Sequence, residues 1–399
     1  MDTKYVVVLS AVCVAVGLHA DRALAGALDN SAVGIKGIAM GSALTGIADD
    51  ASAVYFNPAG LAFLASGDTL FEAYGYFSFT SFAYENAGAA FESHERFFLP
   101  GLFAAHSFDR FALGFGSYVP YGGGGTAYQD FMSTGVELKG AAGLPAFTAA
   151  AAYEVTPDLS VGAGVSMYVG VVDTRAPLMI SQPAPALVDY ESHYSGISGY
   201  GLNLGVLYKP TDVLSVGVSI ISPTSLRMKG EEQVRIPAFG VDTTTESEIE
   251  LGVPWYFAAG LGYRLRPGLT LGLTACWMKW GDQKEVVIAH DSTGESTRVP
   301  THYKDGYRLS VGMEHLASTK LTLRAGVKYV SGATEEEGLA PSSNDVDIVV
   351  PSVGVGYRFG RALELDLTAF YVSGRRTTRG QEAFDQDHVS VLVGLRWGS

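Results

Sequence analysis

The chain has 399 residues, 47% of them hydrophobic and 17% charged, and its formal net charge is −14 at pH 7. This acidic balance argues against a nucleic-acid partner, which would need a basic face, and the lack of a long apolar helical run after residue 25 excludes a helical inner-membrane bundle. Only two cysteines are present, and Cys13 lies in the predicted leader, so Cys276 has no partner for an internal disulfide.

The first 25 residues have the features of an export signal. Lys4 supplies a basic start, Tyr5–Leu18 an apolar stretch, and Ala23-Leu24-Ala25 a small-residue cleavage site. We therefore predict a signal peptide over residues 1–25. The alternative is a membrane anchor, but the apolar run is shorter than a helix that spans a bilayer.

Residues 26–67 lack strand periodicity and are mostly small and apolar. Within them, Asn57 and Pro58 form a helix-start signal, because asparagine caps free amide groups and proline suits the first helical position. An independent small helical domain is the alternative. However, about forty residues seldom bury a sufficient core alone.

From residue 68 onward, the sequence alternates with a period of two. In Leu159–Val172, LSVGAGVSMYVGVV, the odd positions are apolar and the even positions are nearly all small, as in a strand with two different faces. Long strands of this kind are typical of a membrane-spanning barrel. We predict about fourteen of them, an even number as such barrels require: 69–84, 97–107, 111–119, 145–154, 159–172, 198–208, 213–227, 249–263, 269–288, 306–315, 321–330, 348–358, 363–373 and 388–397.

The connections between these strands alternate between tight turns and long polar stretches. This asymmetry is typical of outer-membrane barrels, which have short periplasmic turns and long external loops. The predicted long loops are 85–96, 120–143, 173–197, 228–248, 289–305, 331–347 and 374–387. An exported chain with this pattern is expected in the outer membrane of a bacterium.

The alternation also predicts which side chains face lipid. Apolar stripes such as Leu214 to Ile220 and Trp255 to Tyr263 are expected to point outward, because a charge at mid-depth on the lipid face would cost about 2–4 kcal/mol. The charged residues expected inside are Arg308, Glu314, Arg324, Lys328, Arg358, Glu364, Asp366 and Arg396.

A barrel of about fourteen strands is too wide for side chains alone to fill. We therefore expect residues 26–67 to form a hatch, or plug, inside the lumen. The predicted fold is all-β: a transmembrane antiparallel barrel over residues 68–399 with an N-terminal hatch.

Signals for catalysis and metal binding are not found in the sequence. Gly122–Gly125 lacks the lysine and hydroxyl residue of a phosphate loop, and there is neither a His-Glu-x-x-His nor a Gly-x-Ser-x-Gly motif. We therefore predict no enzyme activity, no cofactor, and no catalytic or metal-binding residue.

Ala39–Leu64, AMGSALTGIADDASAVYFNPAGLAFL, resembles the N-terminal plug of the FadL/TodX family with its Asn-Pro-Ala motif. Leu251–Trp280 and several other strand pairs are similar to the same family. The resemblance implies an outer-membrane transporter of long-chain fatty acids or aromatic hydrocarbons. It also implies capture among the outer loops and a sideways exit at an inward kink of the third strand. A general porin or a structural outer-membrane protein is the alternative, and a barrel enzyme comes third.

The resemblance also suggests candidate site residues. Asn57, Pro58 and Ala59 are expected in the hatch. Gly114, Gly116 and Pro120 are expected at the exit, although these glycines could simply keep the lumen open. Ligand contacts are expected from Phe63, Leu64, Phe111 and Phe115, with plain packing as the alternative. Arg324 or Arg358 could meet a carboxylate, with pairing to Glu364 or Asp366 as the alternative. The expected partners are a hydrophobic small molecule and membrane lipid or lipopolysaccharide, and the protein is expected to be a monomer.

Overall fold

The computed structural model describes residues 29–30, 32–86, 89–180, 185–291, 293–339, 345–360 and 362–398. The predicted signal peptide, residues 1–25, lies outside the described residues. Element bounds below refer to the described parts of the chain.

The strands form one closed antiparallel barrel. Its sheet contains 18 strand segments, and these make 14 barrel strands because four of the strands are interrupted once. The first strand pairs with both the second and the last, for example Phe71 with Ala104 and Trp397, so the sheet closes on itself. The predicted strand number and the all-β class are therefore confirmed.

The barrel strands, in chain order, are β1 (Thr69–Asn86), β2 (Ala89–Ser107), β3 (Phe111–Tyr128), β4 (Leu138–Thr156), β5 (Leu159–Ile180), β6 (Ala186–Tyr208), β7 (Leu214–Ile221 and Thr224–Ile236), β8 (Val241–Val253 and Tyr256–Arg266), β9 (Leu269–Met278 and Glu285–His290), β10 (Ser296–Pro300 and Gly306–Leu316), β11 (Leu321–Val330), β12 (Ile348–Phe359), β13 (Leu363–Thr377) and β14 (Ala383–Gly398). Short 3-10 turns lie at Phe131–Ser133, Pro237–Phe239, Trp280–Asp282 and Glu336–Gly338.

Several strands extend well beyond their predicted outer ends. β2 begins at Ala89, β3 continues to Tyr128, and β5 and β6 remain paired out to Ile180 and Ala186. The predicted long loops 85–96, 120–143, 173–197, 228–248, 289–305 and 374–387 are therefore wrong in extent. Beyond the membrane the outward face meets water, so exposed polar residues such as Glu191 and His193 replace the apolar ones. Inward residues such as Val188 and Tyr190 stay buried, and the backbone ladder continues.

The two faces of the barrel differ as predicted. Outward residues such as Val218, Leu261 and Leu273 are more than a third exposed, as expected for side chains that meet lipid. Inward residues such as Arg308, Arg324 and Asp366 are buried. The lipid-facing stripes of β7 and β8 are therefore confirmed.

Residues 32–67, together with 29–30, form a compact segment that we call the lumenal segment. It contains two short helices, α1 (Ile35–Ala39) and α2 (Ala53–Phe56), and a 3-10 helix at Pro58–Phe63. It contacts inward-facing residues around the barrel, including Glu72 of β1, Asn203 of β6 and Thr368 of β13. The segment therefore lies in the lumen. No helix in the described ranges is both long enough and apolar enough to cross a bilayer.

Candidate functional site

Asn57 fixes the middle of the lumenal segment. Its side chain is fully buried, and its Oδ1 accepts a hydrogen bond from the N–H of Ala59 at 3.2 Å, which caps the 3-10 helix. Its Nδ2 donates to the carbonyls of Thr45 and Val206, each at 3.0 Å. One side chain thus joins two turns of the segment to each other and to β6.

Glycines in the wall allow the segment to approach closely. A Cβ atom at Gly205 would lie 2.2 Å from Asn57 Oδ1, and one at Gly217 would lie 2.0 Å from the carbonyl oxygen of Thr45. Both distances are too short for real atoms, so only glycine fits at these two positions. The inward glycines of β6 and β7 therefore form the seat against which the segment packs.

Asp29 and Asn30 connect the segment to β3. The N–H of Asn30 donates to the carbonyl of Pro120 at 2.8 Å, and its Nδ2 donates to the carbonyl of Val119 at 3.0 Å. Asp29 forms a single bridge with Tyr121. These backbone groups of β3 are therefore bonded to the lumenal segment.

β3 bends inward at the same place. Its register with β4 shifts between Tyr118 and Tyr121 and again between Gly122 and Gly124, so β3 carries an extra residue at each point. The alternation of faces also stops, since residues 118–122 are all buried. Such bulges bend a strand and interrupt its pairing.

The bend separates β3 from β2. In the described chain, their ladder runs only from Leu102–Ser117 to Ser107–Ala112, although β2 begins at Ala89 and β3 ends at Tyr128. Further out the two strands meet where the N–H of Ala127 donates to Ser93 Oγ at 2.9 Å. We call the gap between these two contacts the lateral window.

Aromatic side chains surround the lumen beside the lateral window. The ring of Tyr118 lies 5.2 Å from that of Tyr55 and 5.3 Å from that of Phe103. The ring of Tyr121 lies 6.3 Å from that of Trp280. This arrangement offers a largely apolar environment with a few hydroxyl groups.

A small cavity lies on the other side of Asp29. Its volume is about 30 Å³, and it is lined by Asp29, Asn30, Ala32, Tyr76, Lys328, Val330, Ile348, Val350, Phe370, Val372 and His388. Most of these side chains are apolar. The polar exceptions are Asp29, Asn30, Lys328 and His388.

Two cations act on the Asp29 carboxylate. Arg308 Nη1 lies 3.0 Å from Asp29 Oδ2, with both side chains almost fully buried. Lys328 also attracts it electrostatically. Burial raises the pKa of Asp29, while Arg308 and Lys328 oppose that rise. An anionic head group can bond to Arg308 only by displacing Asp29, because these two charges already balance each other.

The end of the barrel with the tight turns carries a second charged cluster, which we call the basal ion network. Lys36 Nζ lies 2.8 Å from Asp49 and 2.9 Å from Glu314, and these carboxylates raise the pKa of Lys36 although burial opposes its charge. Arg324 Nε lies 2.6 Å from Glu314 and its Nη1 2.5 Å from Asp366. The remaining pairs are Arg324–Glu364, Arg358–Glu364, Arg396–Glu364 and Arg396–Asp366.

The three predicted exit residues do not all lie at the bend of β3. Pro120 lies within the bend. Gly114 and Gly116 lie before it, in the part of β3 that is paired with β2. A Cβ at Gly114 would lie 2.6 Å from Val54 Cγ2, and one at Gly116 2.7 Å from Phe103 Cε1, so both glycines make room for neighbouring side chains.

The four apolar residues that were predicted to contact the ligand lie in two separate places. Phe111 and Phe115 are 40% and 41% exposed on the outward face of β3, so they meet lipid and do not line the lumen, which corrects that expectation. Phe63 and Leu64 end the lumenal segment near the tight turns, where Lys209 Nζ lies 3.7 Å from the centre of the Phe63 ring.

Arg324 and Arg358 both belong to the basal ion network. Arg324 is bonded to Glu314, Glu364 and Asp366 and is 5% exposed. Arg358 is half exposed and pairs with Glu364. The alternative of pairing within the wall is therefore what the structure shows for both arginines.

Sequence reasoning missed Asp29, Asn30 and Lys36. Asp29 and Asn30 belong to no motif. A usable signal existed for Lys36, which is the only lysine or arginine in residues 26–67 and therefore must find a carboxylate if the segment is buried. No group of three or more metal-binding side chains is found in the residues that the structure describes.

Comparisons with known proteins agree with this architecture. The family model described as outer membrane protein transport protein (OMPP1/FadL/TodX) matches residues 16–394. Outer membrane protein P1 of Haemophilus influenzae is 24% identical over 308 residues, which cover 70% of this chain and 66% of that protein. The long-chain fatty acid transport protein of Escherichia coli is 22% identical over 218 residues, 50% of this chain and 49% of that protein.

The matched part thus spans less than two thirds of the length of these relatives. Among solved structures, the Pseudomonas putida toluene transporter TodX superimposes with a TM-score of 0.74 at 18% identity, covering 93% of this chain and 99% of that chain. At this identity the likeness shows a common fold.

Proposed function

Because the chain belongs to the outer membrane protein transport family OMPP1/FadL/TodX, we propose that it takes up hydrophobic small molecules and releases them sideways through the lateral window. The protein is an outer-membrane β-barrel. One relative is named a long-chain fatty acid transport protein and one structural neighbour a toluene transporter. The observation that carries the proposal is the end of the β2–β3 ladder at Leu102–Ser117.

A sideways route suits an apolar cargo. Release into the periplasm would expose the molecule to water at a cost of about 0.8 kcal/mol per methylene group. Release through the wall delivers it directly into the hydrocarbon layer. Uptake then needs no energy source beyond the concentration gradient, and we propose that no catalysis is involved.

The lumenal segment is proposed to act as the hatch. Asn57, Pro58 and Ala59 hold it against β5 and β6, where Ser160 Oγ donates to the carbonyl of Ala59 at 2.8 Å. As long as Asn57 and its glycine seat are in place, the segment occupies the lumen. A cargo molecule must therefore displace part of it, and the tie at Asp29 and Asn30 is nearest to the lateral window.

The charges favour a carboxylate cargo. Arg308 and Lys328 both attract the Asp29 carboxylate, next to the cavity lined by Val330, Val350 and other apolar side chains. A fatty acid supplies such a carboxylate, and its apolar chain would lie against the aromatic side chains beside the lateral window, because a cavity of about 30 Å³ is too small for it. We therefore propose long-chain fatty acids as the preferred cargo, with neutral aromatic hydrocarbons as the weaker one.

Removal of the bulges in β3 tests the lateral route. Deleting Pro120 and Gly123 together takes out the extra residue at each register shift. Both are deleted so that neither bulge remains in β3. The straightened strand should pair with β2 along its length. Uptake of a radiolabelled fatty acid by cells lacking other transporters should then fall at least tenfold.

A deletion of the same size elsewhere in the hairpin is the matched control. Removing Thr134 and Gly135 shortens the outer turn between β3 and β4 and leaves the bend intact. This variant should keep its uptake, and both variants should show the heat-modifiable migration of a folded barrel. Wild-type uptake by the Pro120 and Gly123 deletion would refute the lateral route.

The alternative of a general porin predicts a different result. A porin would conduct sugars or ions freely with the lumenal segment in place. Steady sugar flux through the intact wild-type protein in liposomes, without fatty acid binding, would favour that function. We further propose that the protein works as a monomer in contact with lipid and lipopolysaccharide.

A further inference from the structure

The basal ion network leaves two carboxyl groups without a cation. Its four basic side chains, Lys36, Arg324, Arg358 and Arg396, form ion pairs with Asp49, Glu314, Glu364 and Asp366. Asp50 and Glu72 lie beside this network, yet neither forms an ion pair with a described residue. Lys36 and Arg396 act on these two carboxyl groups only from beyond ion-pair distance.

Glu72 extends from β1 to the start of helix α1. It is 1% exposed, and its Oε1 accepts a hydrogen bond from the N–H of Ile35 at 2.9 Å. Its Oε2 is buried and has no hydrogen-bond partner among the described residues. Ionisation would therefore place a negative charge on a buried carboxyl group that forms no ion pair with a described residue, at the point where β1 holds the segment.

Asp50 belongs to the lumenal segment itself, where it bonds the residue just before helix α2. It is 7% exposed, and its Oδ1 accepts hydrogen bonds from the N–H of Ser52 at 2.9 Å and from Ser52 Oγ at 2.5 Å. Its Oδ2 is buried and lacks a partner within the described chain. Burial raises the pKa of Asp50, against the opposing charge of Lys36.

The two groups face one cavity. Its volume is about 310 Å³, it lies at the end of the barrel with the tight turns, and Asp50, Glu72 and Asp68 all line it. Asp50 and Glu72 interact electrostatically, and the other charges that act on them are Lys36, Asp49, Asp366 and Arg396. Arg358 and Glu364 complete the charged lining.

We propose that Asp50 and Glu72 share a proton, and that loss of this proton loosens the lumenal segment from the wall. Two buried carboxyl groups that repel each other hold one proton more firmly than either would alone. Glu72 bonds the first residue of α1, and Asp50 bonds Ser52 just before α2. The pair would thus make the attachment of the lumenal segment to the wall depend on pH. This inference rests on the proposed role of the segment as the hatch.

The sign of the effect follows from linkage. A carboxyl group that binds its proton more firmly in the seated state stabilises that state at low pH. This stabilisation is lost as the pH rises through the pKa of the seated state. The segment should therefore be held tightly in acid and released more often at alkaline pH.

Conductance of the full-length protein in planar bilayers measures the release. As the pH on the periplasmic side rises from about 5 to about 8, the frequency of open-channel events should increase, by up to about tenfold per pH unit where one proton is released. Glu72→Gln keeps an oxygen acceptor for Ile35 and removes the charge. This variant and Asp50→Asn should open rarely at every pH, with a change below twofold across the range.

Asp68→Asn is the matched control, because Asp68 lines the same cavity. It should keep the wild-type pH profile. A wild-type protein whose opening does not change with pH would overturn the proposal, as would Glu72→Gln and Asp50→Asn variants that keep the wild-type profile.

The readout separates this inference from the proposed function. Ion conductance does not require a fatty acid, so the pH dependence of channel opening can be absent while uptake through the lateral window is intact. Conversely, a protein that never transports fatty acids can still show the pH profile. Should Glu72→Gln fail to fold, Asp50→Asn tests the same proton from the other side of the pair.

Discussion

Asp29 and Arg308 form an ion pair across the lumen, with 3.0 Å between Oδ2 and Nη1, and both side chains are almost fully buried. Asp29 is followed directly by Asn30, which is bonded to the bent part of β3. Arg308 belongs to β10, on a different part of the wall. Two consecutive residues thus connect the edge of the lateral window to a buried cation.

This relationship predicts how a fatty acid binds. A ligand carboxylate that bonds to Arg308 must replace Asp29, and charged hydrogen bonds contribute about 1.5–3 kcal/mol. Arg308→Gln should therefore weaken fatty acid binding about tenfold to a hundredfold, as measured by isothermal titration in detergent. Asp29→Asn should strengthen it, since the competing charge is removed.

A neutral aromatic hydrocarbon is the control ligand for the same two variants. Its binding has no carboxylate to lose, so toluene should bind Arg308→Gln and wild type within about threefold of each other. If Arg308→Gln weakens both ligands equally, the arginine stabilises the lumen in general and does not recognise a carboxylate.

The hydrogen bonds of Asn57 predict a local loss of stability. Asn57→Ala removes three of them and leaves the carbonyl of Thr45 without this donor. At about 1 kcal/mol each, the segment should become less stable by about 2–3 kcal/mol. Hydrogen exchange followed by mass spectrometry should show faster exchange in residues 32–64 and unchanged exchange in the barrel strands. Equal changes in both would contradict the assignment.

The glycine seat predicts a steric effect. In Gly205→Ala, the new methyl group would overlap with Asn57 Oδ1, so the segment should be displaced from β6. Constitutive ion leakage in bilayers is the expected result. Gly143→Ala is the control, because a Cβ there has no neighbour within 4 Å in the described structure. The Gly143→Ala variant should show no more ion leakage than wild type.

Lys36 predicts a coupling energy that a double-mutant cycle can measure. Lys36→Met leaves Asp49 and Glu314 without their lysine, although Glu314 still has Arg324 at 2.6 Å. Breaking a buried pair costs about 3–5 kcal/mol, and the remaining arginine should keep the loss near the lower value. Adding Glu314→Gln should cost less than the sum of the two single changes, as seen in hydrogen exchange of the segment. Strict additivity would show that the two residues do not interact.

The sequence predicted the barrel because alternation decides which side chains face lipid. The family resemblance implied a sideways exit at a kink of the third strand, and Pro120 lies within the bend. The point where the β2–β3 ladder ends could not be predicted, because residues 85–96 and 120–143 were expected to be loops. Gly114 and Gly116 indicated the right strand, but the bend comes from two extra residues after Tyr118, and these appear only in the register with β4.

Other differences have equally local reasons. Phe111 and Phe115 share their parity with Leu113, so the alternation itself places them in lipid. The basal ion network required knowledge of which strands are adjacent, because Arg324, Asp366 and Arg396 are far apart in the chain. The sequence predicted which charged residues face the lumen, but it could not predict which of them form ion pairs with one another.

The pairing of β1 with β14 has a consequence for biogenesis. The lumenal segment precedes β1, yet Ser352 of β12 and Thr368 of β13 donate hydrogen bonds to its carbonyls. Once the barrel has closed, its wall has no opening that would admit the folded lumenal segment. We therefore expect the barrel strands to fold around the lumenal segment before β1 and β14 pair. Membrane insertion and packing of the lumen would then occur in one step.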